Sequence, residues 1–511
     1  MKNLRLFFFL CLAWSFAATQ TAWCQNPLKA DAKTDSTKPP LFLPERLTQL
    51  RHDLDGIIDD PNFANAEWGA IVQSVETGEY LYRKNDTKLF VPASNLKLFT
   101  TAAALYYLGP DFRYATSLLT NGTIRKGVLQ GDVIIRGSGD PTFSKIFYPN
   151  QPLAVLERWA DTLEARGVKR IAGNIIGDDS YFDSLSYAPG WEMDDESYYY
   201  SAQISGLSLN NNCVDLTVQP GVDLNDEALI EIFPNTTYVT ISNEVKTTRG
   251  DSTFAIDVHR DPGTNVIHVT GNIPLNYSSY TLSATVDNPC LFASTVFRET
   301  LAKRGIEVDG SVLSAGDLKE KIVYPHLKTL DIVFSPPLSE IIKQTNQNSL
   351  NFCAEQILKT IAKERTGTGS FEKGVEMVKK FLSDVGIPPE HISMVDGSGL
   401  SRLDLISPQY MATLLRYMHR SDNWKYFYAS LPVAGKSGTL ESRMKETKAE
   451  GNVHAKTGYL NFVRSLSGYV NTADNDMLLF SLFTNNYTVP TSLADNVEDL
   501  VLMYLANFHG R

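Results

Sequence analysis

Ser94 and Lys97 have the types and spacing needed for nucleophilic catalysis. Pro92 disfavours helical geometry in the residue before it, and an apolar, alanine-rich helix is predicted from Leu96 onward. Ser94 then falls at or beside the N-terminus of that helix. Lys97 lies one turn along on the same face, within reach of the hydroxyl. A buried lysine favours its neutral amine, which can act as a base. The alternative is that Ser94 is an ordinary N-cap, since S-x-x-K recurs by chance.

Two further motifs join the Ser94–Lys97 pair, and we call the three motifs together the first triplet. Ser349-Leu350-Asn351 begins a predicted helical run, and Lys456-Thr457-Gly458 lies on a predicted strand ahead of Tyr459. The second serine can pass a proton to a leaving amine, and the asparagine amide can hold a peptide group. The strand lysine attracts a carboxylate, and the glycine leaves the strand bare for a substrate to lie against.

The same three patterns occur a second time, in the same order, as Ser370–Lys373, Ser421–Asn423 and Lys436–Gly438. We interpret this second triplet as structural. Only 15 residues separate Ser421 from Lys436, too few for the helices and strand that must intervene. The residues after Lys436 do not alternate as a strand would, and Ser370 is most simply the N-cap of a polar helix.

The elements that must position the first triplet form an α+β pattern. Helices are predicted over residues 44–59, from 96 onward, and over 289–301, 339–363, 372–385, 407–418 and 492–508. Strands are predicted as a pair over 68–90, in short runs between 116 and 285, and over 452–459, 463–470 and 476–483. This order indicates one α+β domain split in two by an insertion that is mainly β.

Charge and cysteine content exclude several classes of function. The 511 residues carry a formal net charge of −11 without basic clusters, which argues against nucleic acid or an anionic membrane surface as partner. After residue 24 the cysteines are Cys213, Cys290 and Cys353, with no C-x-x-C spacing, and the eight histidines show no ligand spacing. We therefore predict no metal site and no cofactor. Whether Cys213 pairs with Cys290 stays open.

The first residues have the pattern of a secretory signal. Lys2 and Arg5 precede an apolar run, residues 6–18, that is too short to span a bilayer. Cleavage after Cys24 fits best, so residues 1–24 are predicted to be a signal peptide; a cut after residue 18 and lipid modification of Cys24 are the alternatives. No later segment is apolar and long enough for a transmembrane span. We therefore expect an exported protein of the periplasm or cell envelope.

Further stretches extend a likeness over most of the chain, from about residue 60 to 485. They are Gly139-Asp140-Pro141-Thr142, Gly177-Asp178-Asp179-Ser180-Tyr181-Phe182, Pro189-Gly190-Trp191, Asp396-Gly397-Ser398-Gly399-Leu400-Ser401-Arg402 and Leu431-Pro432-Val433-Ala434-Gly435. With these stretches, the ordered first triplet and the long gap between its first two motifs, the sequence resembles the class C low-molecular-mass penicillin-binding proteins, the D-alanyl-D-alanine carboxypeptidase/endopeptidase (peptidase S13) family.

The resemblance implies a fold and a division into domains. It implies an α+β serine β-lactamase/D,D-peptidase-like domain made of residues 43–115 and 335–511. Two inserted, mainly β domains would split it: domain II from residues 116–210 and 283–334, and domain III from residues 211–282.

The resemblance also implies roles for the first triplet. Lys97 would take the proton from Ser94, which would attack the carbonyl of the penultimate D-alanine of a peptidoglycan stem peptide. Ser349 would relay a proton to the leaving amine, and Lys456 with Thr457 would bind the terminal carboxylate. β-Lactam antibiotics would acylate Ser94 as covalent inhibitors.

Two positions depart from the family pattern. Leu350 stands where the middle residue of the second motif is usually polar, and Tyr459 stands where threonine or serine commonly follows the glycine. By resemblance, the backbone N–H groups of Ser94 and Tyr459 form the oxyanion hole. The side chain at 459 therefore bears on substrate preference rather than on the chemistry.

The family recognises the side chain of its peptide substrate, often diaminopimelate. Carried over by motif, the residues that would bind it here are Asp195, Tyr200 and Arg402. An acid and an arginine would each pair with the opposite charge of a zwitterionic side chain. The alternative is that Asp195 caps a helix and Arg402 is solvated.

Two rival functions stay open at this point. One is a serine β-lactamase of the same fold, which needs fast deacylation; no glutamate is evident for that task. The other is a catalytically inert envelope binding protein, against which the complete first triplet argues.

Overall fold

The computed structural model describes residues 41–511, and the predicted signal peptide, residues 1–24, lies outside them. The described residues form the helices α1 (Pro44–Ile58), α2 (Lys97–Tyr107), α3 (Ala154–Ala165), α4 (Pro289–Lys303), α5 (Leu338–Gln347), α6 (Asn351–Thr366), α7 (Phe371–Asp384), α8 (Pro408–Arg420), α9 (Trp424–Ala429) and α10 (Thr491–Asn507). Their strands are β1 (Glu67–Ser74), β2 (Tyr80–Lys84), β3 (Ala115–Thr120), β4 (Thr123–Arg125), β5 (Val128–Gln130), β6 (Val133–Arg136), β7 (Arg170–Ile171), β8 (Ile175–Asp178), β9 (Cys213–Gln219), β10 (Leu229–Phe233), β11 (Thr240–Thr248), β12 (Ala255–Arg260), β13 (Val266–Pro274), β14 (Tyr280–Thr285), β15 (Glu307–Val308), β16 (Val312–Ser314), β17 (Lys328–Phe334), β18 (His454–Leu460), β19 (Val463–Asn471) and β20 (Met477–Asn485).

One antiparallel sheet joins the N-terminal and C-terminal parts of the described chain, in the strand order β18-β19-β20-β1-β2. Alternate residues of β20 enter different cores, as a strand period of two requires. Leu479 and Phe483 pack with the α2 and α8 side, whereas Leu478, Phe480 and Leu482 pack with α1 and α10. Because the sheet is covered on both faces, β20 is apolar almost throughout. The strand β18 lies at one edge of this sheet.

The helix α2 lies inside the core between α5, α6 and α7. Every residue from Lys97 to Leu105 is buried, so the helix is apolar all round apart from its polar N-terminal end. A single 3₁₀ turn, Ala93–Leu96, precedes it and packs against β18 and β19. In this turn Ala93 has a φ of +47°, a left-handed conformation that costs a non-glycine residue free energy.

The helical run predicted over residues 339–363 is in fact two helices, α5 and α6. The chain breaks between them at residues 348–350, where Ser349 has a φ of +55°. Residues 343–349 carry no apolar side chain, so helical periodicity could not locate the break within them. The break places Ser349 just before α6 and Asn351 at its first position.

The segment between α2 and α5 carries the other four sheets, whose strand orders are β10-β9-β14, β11-β13-β12, β15-β7-β5-β4 and β16-β8-β6-β3-β17. It has its own hydrophobic core, which includes Trp159 and Phe297. The predicted α+β fold with mainly β insertions is confirmed. The insertion also contains α3, which the strand pattern did not predict. The described residues cluster as one compact unit, so the boundaries given above for domains II and III stay a prediction.

The three cysteines of the described chain are free and buried, so Cys213 and Cys290 form no disulfide. Within residues 41–511 no helix has the length and apolar character needed to cross a membrane.

Candidate active site

Ser94 and Lys97 lie together where the turn Ala93–Leu96 runs into α2. The Lys97 amine is 2.8 Å from Ser94 Oγ, and it also donates to Asn351 Oδ1 (2.6 Å) and to the Ser398 carbonyl (2.9 Å). Ser94 does not cap α2 with its side chain. Lys97 is fully buried, whereas Ser94 is half-buried and lines an open cleft. The hydroxyl is therefore accessible to a substrate, and the amine beside it is not.

Burial changes the acid–base chemistry of Lys97. Desolvation lowers the pKa of Lys97 to about 7, although the carboxylates of Asp396 and Glu355 oppose the shift. A large fraction of this amine is therefore neutral near neutral pH. A neutral amine at hydrogen-bond distance from a hydroxyl has the geometry and proton affinity of a general base.

Two buried carboxylates hold the carbonyl that positions Lys97. Glu355 accepts the backbone N–H groups of Gly397 and Ser398, both at 2.8 Å. Asp396 also accepts the N–H of Ser398, at 3.1 Å. Burial and the neighbouring Asp396 carboxylate raise the pKa of Glu355 to about 8. Both acids thus fix the loop that carries the Ser398 carbonyl, and Asp396 also accepts the N–H of Gly399, in the same peptide unit, at 2.7 Å.

Ser349 and Lys456 form a second hydroxyl–amine pair. Lys456 Nζ donates to Ser349 Oγ (3.0 Å) and to the carbonyl of Thr457 (2.9 Å). Burial, together with the positive charge of Lys97, lowers the pKa of Lys456 well below its usual range. The Thr457 hydroxyl donates to Thr439 Oγ1 at 2.7 Å. An amine of low proton affinity, bonded to a hydroxyl, is suited to passing a proton along.

Gly458 allows β18 to lie directly against the turn that carries the nucleophile. A Cβ at this position would lie 2.2 Å from Ser465 Oγ, 2.8 Å from the Pro92 carbonyl and 3.1 Å from the Ser94 nitrogen. Asn95 ties the same elements together by donating to the Lys456 carbonyl at 3.1 Å. The sequence suggested that Gly458 leaves the strand bare for substrate. The structure adds a second reason for the glycine, because β18 and the turn that carries Ser94 approach too closely for any side chain.

The three residues proposed for side-chain recognition lie at the rim of the site. The Tyr200 hydroxyl donates to Asp195 Oδ1 at 2.8 Å, and neither of the adjoining 3₁₀ turns is capped by a side chain. Arg402 donates through Nε to Glu192 (3.3 Å) and through Nη2 to the Asn461 carbonyl (2.7 Å). Burial raises the pKa of Asp195, and the nearby Arg402 charge opposes that shift. Asp195 and Arg402 therefore line the same cleft, but each has its own hydrogen-bond partner.

One cleft of about 450 Å³ joins the centre of the site to its rim. A hydrogen bond of 2.9 Å from the Asn351 side-chain amide to the Tyr200 carbonyl links the two parts. Of the predicted site residues, Lys97, Lys456 and Gly458 lie behind the lining. Those that line the cleft are Ser94, Ser349, Asn351, Thr457, Tyr459, Asp195, Tyr200 and Arg402.

Three residues of this region were not assigned a role from the sequence. Glu355 follows Asn351 by one helical turn, a spacing that places both on one face of α6. Asp396 opens a stretch noted only for its family likeness. Thr439 lies in the single 3₁₀ turn Gly438–Leu440, and its sequence context had no usable signal. Among residues 41–511 no group of three or more His, Cys, Asp or Glu side chains is arranged to hold a metal ion.

Comparison with known proteins places this site in a family. Residues 50–507 match the model described as the D-Ala-D-Ala carboxypeptidase 3 (S13) family. A D-alanyl-D-alanine carboxypeptidase of Actinomadura sp. is 35% identical over 477 residues, covering 91% of this chain and 86% of that protein.

Solved structures agree with this match. The crystal structure of penicillin-binding protein 4 from Haemophilus influenzae superposes with a TM-score of 0.77 and 25% identity, over 89% of this chain and 99% of that one. The same protein complexed with a β-lactam superposes with a TM-score of 0.71 and 24% identity, with the same coverage. The fold, the first triplet's geometry and a family match over nearly all the described residues agree, and the chain belongs to the D-Ala-D-Ala carboxypeptidase 3 (S13) family of peptidases.

Proposed function

We propose that this enzyme is an exported serine D,D-peptidase that cleaves peptidoglycan stem peptides at D-Ala-D-Ala bonds through an acyl-enzyme on Ser94. The observation that carries the proposal is a half-buried hydroxyl in an open cleft, 2.8 Å from the fully buried amine of Lys97. Family membership supplies the reaction class, and the N-terminal pattern of residues 1–24 supports export.

Acylation follows from the positions of the groups around Ser94. The neutral Lys97 amine takes the Ser94 proton, and Ser94 Oγ bonds to the carbonyl carbon of the penultimate D-alanine. The N–H groups of Ser94 and Tyr459 stabilise the oxyanion, and Gly458 is what lets these two segments approach. The proton then reaches the leaving amine through Ser349, whose hydroxyl is bonded to Lys456. The C–N bond breaks and D-alanine leaves.

Deacylation reverses these transfers with water in place of the amine. Water adds to the ester carbonyl, its proton passes to Lys97, and Ser94 recovers a proton as the ester bond breaks. The peptide is expected to lie along the free edge of β18, where strand addition aligns its scissile bond with Ser94. Asn351, fixed by Lys97 and the Tyr200 carbonyl, is placed to hold the peptide group beside it.

At the rim, Asp195 and Arg402 would bind the ammonium and the carboxylate of a diaminopimelate-type side chain. Both line the cleft, and the Tyr200 hydroxyl orients Asp195. Engagement of Arg402 by Glu192 does not prevent this, since its guanidinium has further donors.

β-Lactams are expected to acylate the same serine, as the β-lactam complex of the Haemophilus protein suggests. A β-lactamase remains the second candidate because it shares the fold class. Efficient turnover would need a carboxylate able to activate water at the ester. Glu355 is buried and does not line the cleft, and both of its oxygens accept backbone N–H groups, which argues against such a role.

The test uses a synthetic peptide ending in D-Ala-D-Ala, its L-Ala-L-Ala counterpart and a labelled penicillin. We expect release of D-alanine from the first peptide only, and a stable penicillin adduct on the peptide that contains Ser94. Rapid turnover of penicillin without D-alanine release would favour the β-lactamase. Absence of both reactions would favour an inert binding protein.

A further inference from the structure

The positive group that the cleft presents beside the K-T-G strand is Arg464. Two arginines line the cleft, Arg402 at the rim and Arg464 on β19, whereas Lys456 does not line it. Lys456 is fully buried, and its amine is occupied by Ser349 Oγ and by the Thr457 carbonyl. Burial lowers its pKa well below the usual range, and a neutral amine attracts a carboxylate weakly.

Arg464 shares a face of the sheet with residues of the K-T-G motif. In the β18–β19 pairing it lies directly opposite Tyr459. Paired residues point to the same face, and so do residues two apart on a strand, which adds Thr457 to that face. The guanidinium carbon of Arg464 is 5.4 Å from the centroid of the Tyr459 ring. A threonine hydroxyl and a guanidinium therefore share one face beside the strand along which the peptide is expected to lie.

The guanidinium is held from behind and keeps donors unused. Its Nη2 donates to Asp495 on α10. Its Nε is buried and has no hydrogen-bond partner among the described residues, and the side chain is only 12% exposed. Because the Arg464 side chain lines the cleft and its hydrogen-bonding capacity is not exhausted, an acceptor bound there would gain a charge-assisted hydrogen bond.

The acids near Arg464 belong to a network with Arg443. Asp495 also accepts from Arg443 (3.0 Å), and Arg443 contacts Glu498 and Asp499 as well. None of these three carboxylates lines the cleft. The network anchors the guanidinium, and Arg464 itself still lines the cleft.

We propose that Arg464 binds the C-terminal carboxylate of the peptide substrate, together with the Thr457 hydroxyl. This inference rests on the proposed function and changes one part of it: the carboxylate is bound by Arg464, and Lys456 serves proton transfer to Ser349. It also gives a physical meaning to Tyr459. The short threonine or serine hydroxyl that is common at that position is replaced by a phenolic hydroxyl that donates to Asn461 Oδ1 at 3.3 Å, and the guanidinium opposite it supplies donors instead. A planar fork of N–H groups matches a carboxylate.

The experiment compares two substrates that differ only at the C-terminus, a peptide ending in D-Ala-D-Ala carboxylate and its carboxamide. For the wild-type enzyme and Arg464→Ala, kcat/KM is measured from release of D-alanine or D-alaninamide. Loss of a hydrogen-bonded charge pair predicts a fall of about 10- to 100-fold for the carboxylate, and less than about 3-fold for the carboxamide. Arg402→Ala, an arginine lining the same cleft, is the matched control and should leave the carboxylate-to-carboxamide ratio unchanged.

Equal losses for both substrates in Arg464→Ala would overturn the inference and reduce Arg464 to a structural partner of Asp495. If that variant does not fold, Arg464→Lys keeps the charge towards Asp495 and should still lower the ratio, because the fork is lost. A wild-type enzyme that cleaves both peptides equally well overturns the inference without any variant. A wild-type enzyme that cleaves neither and takes up no penicillin overturns the proposed function itself.

Discussion

The first and second triplets have the same residue types at the same spacings, yet they have opposite environments. In the first, Lys97 and Lys456 are fully buried, and each amine contacts a serine hydroxyl. In the second, Lys436 is exposed and pairs with Glu450 at 2.6 Å. In this chain, the lysines suited to proton transfer are therefore those whose amines burial makes less basic.

The serines of the second triplet have ordinary structural roles. Ser370 Oγ accepts the N–H of Lys373 as the N-cap of α7, which confirms the N-cap prediction. The Lys373 amine pairs with Glu376 instead of Ser370. Ser421 Oγ donates to the Met418 carbonyl at the end of α8. None of these hydroxyls is close to an amine that has lost its charge.

The largest expected effect is from Ser94→Ala. Removing the nucleophile should abolish D-alanine release and covalent penicillin labelling, because no acyl-enzyme can form. Labelling is measured on gels and mapped by mass spectrometry. Ser370→Ala and Ser421→Ala are the matched controls and should label like the wild type. Label that persists on Ser94→Ala protein would break the distinction between the two triplets.

A large effect is also expected from Lys97→Arg. Arginine stays protonated and cannot act as the base, so the rate of acylation by penicillin should fall by about 10²- to 10⁴-fold. Stopped-flow or timed-quench labelling measures that rate, and thermal denaturation checks folding. Because arginine is larger in a buried site, Lys97→Met serves as a second variant.

The exposed lysines of the second triplet provide the control for this prediction. Lys373→Arg and Lys436→Arg preserve surface ion pairs and should change the acylation rate by less than about 2-fold. A Lys97→Arg enzyme that acylates at the wild-type rate would mean that Lys97 is not the base.

How far the sequence predicts this site depends on whether local pattern or tertiary packing decides each feature. The motifs, the α10 helix and the meander β18–β20 follow from local periodicity, and the structure confirms these elements. The turn at Ser349 ends a polar run, residues 343–349, where periodicity gives no signal, so tertiary contacts decide where the helix breaks. Arg464 likewise carries no motif, and only strand pairing places it opposite Tyr459.

A smaller effect, on pH dependence, is expected from Asp396→Asn. The Asp396 carboxylate is the strongest of the charges that raise the pKa of Lys97, which burial brings to about 7. Removing that charge lowers the pKa of Lys97 further, so the amine becomes neutral at lower pH. Because the neutral amine is the active form, the acidic limb of kcat/KM should move to lower pH by about 1 unit.

A pH–rate profile of peptide hydrolysis checks this shift, and thermal denaturation accounts for lost hydrogen bonds to the loop. Glu372→Gln, which neutralises an exposed acid in the first turn of α7, is the control and should leave the profile unchanged. An acidic limb that stays in place in Asp396→Asn would show that the Asp396 charge does not raise the pKa of Lys97.

The smallest effect is expected at the rim, from Asp195→Ala. Asp195 is only partly buried, so solvent screens its pairing with a substrate ammonium more than it screens contacts at Lys97. We expect kcat/KM for diaminopimelate-type peptides to fall by about 10-fold relative to peptides with a neutral residue there. Asp194→Ala removes the same charge from the exposed neighbour, which does not line the cleft, and should preserve selectivity.

Tyr200→Phe removes the hydroxyl that orients Asp195 and should give a smaller loss in the same direction. Unchanged selectivity in both Asp195→Ala and Tyr200→Phe would mean that the rim residues do not recognise the substrate side chain. Substrate recognition would then depend on the first triplet and on the strand β18 beside it.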